Sequence, residues 1–172
     1  MNYQVRPLTV NDEHIVWQML MYAAREPSIE VVQKQPLLSR YAIDWGRMGD
    51  MGSVALVREC SIGAAWLRLW FEDKGFGYID ASIPELAMAV VPEYRGKGIG
   101  TKLLLQVLEL ANSVYPAVSL NVRANNPAIN LYQRVGFTKV EGSEVVNRTG
   151  GISFNMICKF TQRSLSSKNP PC

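Results

Sequence analysis

The stretch ELAMAVVPEYRGKGIGTKLLLQVLELA, Glu85 to Ala111, decides the fold. Glu85–Val91 is a nearly continuous apolar run, the pattern of a strand inside a sheet. Pro92 ends it. Ile99, Leu103, Leu104, Val107, Leu108, Ala111 and Val114 then recur at helical spacing, and Pro116 closes the helix. Between strand and helix stand Gly96, Gly98 and Gly100, with Arg95 and Lys97 among them. A helix start ordinarily favours a capping side chain rather than bare backbone. Glycines there leave several unpaired N–H groups open to approach, and the helix dipole adds partial positive charge. That combination binds phosphate.

Working outward, the C-terminal half alternates strands and helices. Val118–Val122 reads as a strand and Asn126–Val135 as a short helix, with Pro127 near its start and Gly136 at its end. Phe137–Gly142 and Ser153–Phe160 read as strands, the second at the end of the sheet. In the N-terminal half, Asn2–Pro7 is a short strand. Thr9 with Asp12 has capping-box spacing, ahead of a helix carrying Ile15, Val16, Met19, Leu20 and Ala23. A second helical stretch covers Pro36–Trp45, and Gly46–Gly52 is a loop. Ser53–Glu59 and Ser61–Phe71 pair as strands. The expected fold class is α/β: one domain over residues 1–162, with a central mixed twisted sheet flanked by helices. The polar tail, residues 163–172, is expected to be disordered.

Composition narrows the function. The 172 residues are 48% hydrophobic and 19% charged, with a net charge of +3, too small by itself to argue for nucleic acid. No apolar run reaches membrane-span length and no secretory leader is visible, so the expectation is a cytoplasmic protein. Cys60, Cys158 and Cys172 are scattered and fit neither a disulfide framework nor a metal-ligand pattern; no metal is expected. Cys60 and Cys158 are expected to be small buried hydrophobes. His14 is the single histidine, on the surface of the first helix, which argues against Ser–His–acid and Cys–His catalysis.

The glycine turn fits neither a Walker loop, because Gly98 follows Lys97, nor a dinucleotide fingerprint, because the spacing is Gly96-x-Gly98-x-Gly100. Arg95-Gly96-Lys97-Gly98-Ile99-Gly100 instead matches Arg/Gln-x-x-Gly-x-Gly/Ala at every fixed position. A second segment, NNPAINLYQRVGF (Asn125–Phe137), follows, with Asn126, Ala128, Leu131, Tyr132, Gly136 and Phe137 in register. On these two elements the chain resembles the GNAT family, the Gcn5-related N-acetyltransferases, firmly over Glu85–Phe160.

The resemblance implies that the strands Glu85–Val91 and Ser119–Val122 splay apart and that acetyl-CoA lays its pantetheine arm between them. Met88, Ala89 and Val90 would supply backbone groups to that arm, and an N–H near Ala89 or Val90 would polarise the thioester carbonyl. Arg95, Gly96, Lys97, Gly98, Ile99, Gly100 and Thr101 would hold the pyrophosphate. Asn125 or Asn126 would touch the cofactor, and Tyr132 would act as the acid toward the leaving thiolate. Glu85, at the edge of the cofactor cleft, is the first candidate for general base, with Asp80 in reserve. The implied reaction is direct attack on acetyl-CoA by a primary amine of a small molecule or peptide. Homodimers occur in the family. Trp70, Phe71, Phe76 and Tyr78 would line the acceptor side, where Glu72, Asp73 and Asp80 suit a cationic amine. A non-catalytic coenzyme A-binding module is the alternative.

Overall fold

The computed structural model describes residues 1–161; the expected tail, residues 163–172, lies outside them. The elements run β1 (Gln4–Pro7), α1 (Glu13–Ala24), α2 (Ile29–Gln33), α3 (Pro36–Ser39), β2 (Met51–Val57), β3 (Cys60–Arg68), β4 (Glu85–Val90), α4 (Ile99–Asn112), β5 (Ala117–Arg123), α5 (Ile129–Arg134), β6 (Thr138–Lys139), β7 (Val145–Val146) and β8 (Ile152–Lys159). The strands form one mixed sheet in the order β1-β2-β3-β4-β5-β8-β6, with β7 on β8. Its one parallel pairing is β4 with β5.

Each face of the sheet carries its own core, because side chains alternate across a strand. On one face, α4 buries Ile99, Leu103, Leu104, Val107, Leu108 and Ala111 against Ile62, Ala65, Leu67 and Leu120. Each large aliphatic buried there contributes about 2 kcal/mol. On the other, α1 buries Ile15, Val16, Met19 and Leu20 with Val54, Ala64, Trp66 and Ala89. Among the described residues no helix is long and apolar enough to cross a membrane.

Several boundaries differ from the sequence reading. The expected helical stretch Pro36–Trp45 is helical only over α3, and a short helix that was not expected, α2, precedes it; beyond Ser39 the carbonyls are diverted, Arg68 donating to those of Arg40 (2.8 Å) and Ile43 (2.7 Å). Met51 and Gly52 belong to β2, paired with Leu67 and Trp66. Strand β8 is interior rather than terminal, since it pairs β5 along Ala117–Arg123 and still carries β6. Helix α4 ends at Asn112, which leaves Val114 61% exposed. Cys158 is buried as expected, whereas Cys60 is exposed beside the tight β2–β3 turn. His14 is exposed.

Candidate active site

Strands β4 and β5 are paired at a single position, Glu85 opposite Ser119, with the Ser119 N–H donating to the Pro84 carbonyl at 3.0 Å. Beyond that point they part. Strand β4 keeps its full antiparallel pairing with β3 from Glu85–Arg68 to Val90–Gly63. Hydrogen bonding alternates along such a strand. The Val91 N–H donates to Ile62 on the β3 side, and the Pro84 carbonyl faces β5. Ala87 and Ala89 therefore face β3, and Met88 and Val90 turn their N–H and C=O groups into the gap. The Arg95 Nε–H takes the Val90 carbonyl at 2.9 Å, as an otherwise unpaired carbonyl requires. Of the three backbone positions predicted on β4, Met88 and Val90 offer main-chain groups. Ala89 contributes wall.

The gap opens into a cleft of about 640 Å³ lined by Met88, Ala89, Val90, Arg95, Gly96, Gly98, Ile99, Gly100, Thr101, Asn126, Leu131 and Tyr132. At one mouth stands the glycine turn. Gly96 and Gly98 have φ of +72° and +78°, and no protein atom lies within 4 Å of where a Cβ would sit on either. Gly98 caps α4 with no side-chain hydrogen bond, and the first i→i−4 bond runs from Lys102 to Gly98 (3.2 Å). The amides of Ile99, Gly100 and Thr101 thus have no intrahelical partner. These bare amides and left-handed glycines fit the diphosphate of a coenzyme A. The unpaired edge of β4 fits its amide-bearing arm.

The remaining predicted residues divide. Asn126 lines the cleft and its Oδ1 accepts from the Ala128 N–H at 2.9 Å, starting the turn into α5; Asn125 lines no cleft. Lys97 also stays outside, its ammonium donating to the Glu93 carbonyl at 2.9 Å and lying 5.3 Å from the Tyr94 ring. Tyr132 is 8% exposed and packs edge-on against Phe137 at 5.8 Å. Burial pushes its phenol up to about 12, so the proton stays on at any working pH.

Glu85 sits elsewhere than expected. Its side chain lines neither cleft and is 3% exposed. Oε1 accepts from the Tyr41 hydroxyl and Oε2 from the Trp70 Nε1–H, each at 2.7 Å. The Gly77 backbone amide also favours its charged form. A Cβ on Gly77 would stand 2.8 Å from the carboxylate, so only glycine admits this approach. Burial raises the Glu85 pKa to about 7, outweighing the donors that lower it. Tyr41 in turn accepts from the Phe76 N–H at 2.7 Å, so the carboxylate fixes the β3–β4 loop. Neither Tyr41 nor Trp70 was singled out as a partner of Glu85. The closely spaced Gly75 and Gly77 were the available signal.

Of the aromatics expected on the acceptor side, Phe76 alone lines a cleft. Trp70 is core, Phe71 is 54% exposed, and Tyr78 packs against the α1 core. Glu72, Asp73 and Asp80 line neither cleft: Asp73 pairs with Arg47 at 3.4 Å, and Asp80 accepts from the Ser82 N–H at 2.8 Å. No group of three or more His, Cys, Asp or Glu side chains among the described residues could hold a metal ion.

The sequence profile described as the acetyltransferase (GNAT) family matches residues 17–137. The chain belongs to that family. A curated relative, the N-alpha-acetyltransferase of Sulfurisphaera tokodaii, is 46% identical over 59 residues, 33% of this chain and 35% of that protein; the match spans about a third of the relative's length. Among solved structures, yncA from Salmonella typhimurium, determined with its cofactor acetyl-CoA, superposes with a TM-score of 0.72 at 18% identity, covering 100% of this chain and 99% of that one. The ribosomal-protein-S18-alanine N-acetyltransferase of Escherichia coli gives a TM-score of 0.67 at 17% identity, covering 99% and 100%. This GNAT chain therefore shares the fold of those two structures over its length, and its sequence likeness to the curated relative is local.

Proposed function

We propose that the chain transfers the acetyl group of acetyl-CoA to a primary amine by direct attack. The observation that carries the reading is the parting of β4 and β5 after one paired residue, with unpaired amides at the cleft mouth and Tyr132 in the cleft lining. Acetyl-CoA supplies the activated acyl thioester. The amides of Ile99 through Thr101 hold its diphosphate, Met88 and Val90 run alongside its arm, and Asn126 borders it. The Val90 N–H faces the gap and is placed to stabilise negative charge developing on the carbonyl oxygen. One such donor is worth about 3 kcal/mol. Tyr132 keeps its proton and donates it as the thiolate departs.

Glu85 does not take the amine proton directly. Both its oxygens are occupied and it lies outside the cleft. Its part is to hold Tyr41 and the β3–β4 loop. Among the described residues no carboxylate lines either cleft; in this reading the proton leaves to water, and the amine attacks from its neutral fraction.

The test is free-thiol release from acetyl-CoA with a panel of amines, alongside calorimetry with coenzyme A. We expect coenzyme A to bind and at least one amine to be acetylated. Tyr132→Phe should lower kcat about 10²-fold, at the lower end of the range for a positioned proton donor, while the KM for acetyl-CoA stays within about twofold, since its binding surface is intact. Tight coenzyme A binding without turnover of any amine would instead identify a non-catalytic binding module.

A further inference from the structure

A second cleft, of about 240 Å³, adjoins the first and shares Ala23, Arg25 and Asn126 with it. It is walled by the end of α1, by β5 and by the segment from Val145 to Arg148, with Phe76 and Leu38 on the remaining side. This position, across the splay from the glycine turn, is where an acceptor must enter if the transfer reading holds.

The charged side chains lining it are Arg25, Arg123 and Arg148. Among the described residues one carboxylate compensates them: Glu26, paired with Arg148 at 2.8 Å. Arg148 also donates to the Ala24 carbonyl at 2.8 Å. Neither Arg25 nor Arg123 has a hydrogen-bonded acceptor among the described residues. Arg123 is half-buried on β5, and its pKa is lowered by burial and then by the charges of Arg25 and Arg148. Three guanidiniums against the one carboxylate of Glu26, two of them without a hydrogen-bonded acceptor, leave the cleft net cationic and oppose a cationic guest. Of the amides nearby, Asn121 donates to Asn155 (2.9 Å) and Asn147 to Ser153 (3.0 Å). The charged chemistry lining the cleft is cationic, and guanidinium binds carboxylate in a fixed two-pronged geometry.

A second constraint concerns the nitrogen. With no carboxylate lining the clefts among the described residues, the acceptor must arrive substantially neutral. At pH 7.5 roughly a third of peptide α-amines are neutral, against about one lysine side chain in a thousand.

We infer that the acceptor is an α-amine bearing its own carboxylate, held by Arg123 and Arg25. The inference rests on the transfer reading and specifies its substrate class. It replaces the cationic acceptor suggested by Glu72, Asp73 and Asp80, which line neither cleft. The carboxylate has two possible sources: the side chain of an acidic residue next to a peptide's N-terminus, which keeps the neutral fraction, or that of a free amino acid, whose adjacent carboxylate raises the amine's pKa and costs it most of that fraction.

The experiment compares matched pairs differing in one charge. With kcat/KM expressed per neutral amine, the peptide amides Ser-Glu against Ser-Gln test the peptide source and L-leucine against L-leucinamide the free amino acid; spermidine is the cationic control. At least one carboxylate-bearing member should exceed its uncharged partner about tenfold or more in kcat/KM, with spermidine poorest. Arg123→Gln should raise the KM for that acceptor about tenfold, leave the KM for acetyl-CoA within twofold, and collapse the preference within the pair. Arg25→Gln, at an exposed position where folding is not at stake, should reproduce a smaller loss. Equal use of charged and uncharged partners, or preference for spermidine, overturns the inference while leaving acetyl transfer standing. Coenzyme A binding with no turnover on any member, and no thermal shift by the acids on the coenzyme complex, overturns both.

Discussion

At the scale of single residues, Glu85 is the most informative side chain. Two side-chain donors bond its carboxylate and the Gly77 amide favours its charge, which ordinarily holds a carboxyl low. Burial wins nonetheless and raises it from 4.5 to about 7. A carboxyl whose folded pKa exceeds its unfolded one binds its proton more tightly when folded. Its contribution to stability is then fully present below about 4.5 and is lost as pH rises through about 7. The shift corresponds to roughly 3 kcal/mol across that window. Thermal melts from pH 4.5 to 8 should show the protein losing stability over this range. Glu85→Gln should start lower, because its amide N–H₂ opposes the Tyr41 or Trp70 donor, and should show a flat profile. Parallel profiles for the two proteins would mean that Glu85 does not titrate there.

At the scale of elements, the turn into α4 separates what the fold needs from what a ligand needs. Gly98 has φ of +78° and open space beyond it, so a side chain there meets strain but no packing clash. Gly100 has ordinary helical φ, and a Cβ would sit in van der Waals contact with Met88 Cε (3.5 Å) and Leu131 Cδ2 (3.6 Å). Gly100→Ala should therefore stabilise the chain by up to about 1 kcal/mol, as alanine does in a helix, and keep coenzyme A affinity. Gly98→Val should leave far-UV circular dichroism unchanged and weaken coenzyme A binding by 10- to 100-fold, the loss of about one charge-assisted hydrogen bond. Calorimetry on both variants checks the contrast, and equal affinity losses would sink it. This element was legible in the sequence because strand, turn and helix are local: periodicity and glycine spacing fix them without reference to the remainder of the chain. Its orientation was less so. Which of Asn125 and Asn126 enters the cleft, and that Lys97 folds back onto Glu93, depend on side-chain geometry. The burial of Glu85 was hidden because Tyr41, Trp70 and Gly77 reach it from separate segments. The arginine cluster was hidden for the same reason, since Arg25, Arg123 and Arg148 meet only once α1, β5 and the β7–β8 hairpin are in place.

At the scale of the molecule, the long loops between β1 and β4 have little regular structure to hold them and depend on a buried ion pair. Arg68 and Asp50 meet at 2.7 Å with side chains each 1% exposed, and Arg68 also donates to the carbonyls of Arg40 and Ile43. One guanidinium thus ties the end of α3, the approach to β2 and the end of β3, and positions Tyr41 next to Glu85. Removing one partner strands the other charge in the core. Asp50→Ala should cost about 3–5 kcal/mol, a fall in Tm of roughly 6–20 °C for a chain of this size. Apolar replacement of a buried ion pair often restores stability, but here the Arg40 and Ile43 carbonyls would stay unpaired. The double variant Asp50→Leu with Arg68→Met should accordingly recover only part of the loss, and a full recovery in denaturant melts would show that those carbonyls find other donors. Because Tyr41 and Phe76 hang from the same support, Asp50→Ala protein assayed below its melting range should lose acceptor KM before coenzyme A affinity. The glycine turn and α4 are built by the other half of the chain, and calorimetry with coenzyme A beside acceptor titrations separates the two effects.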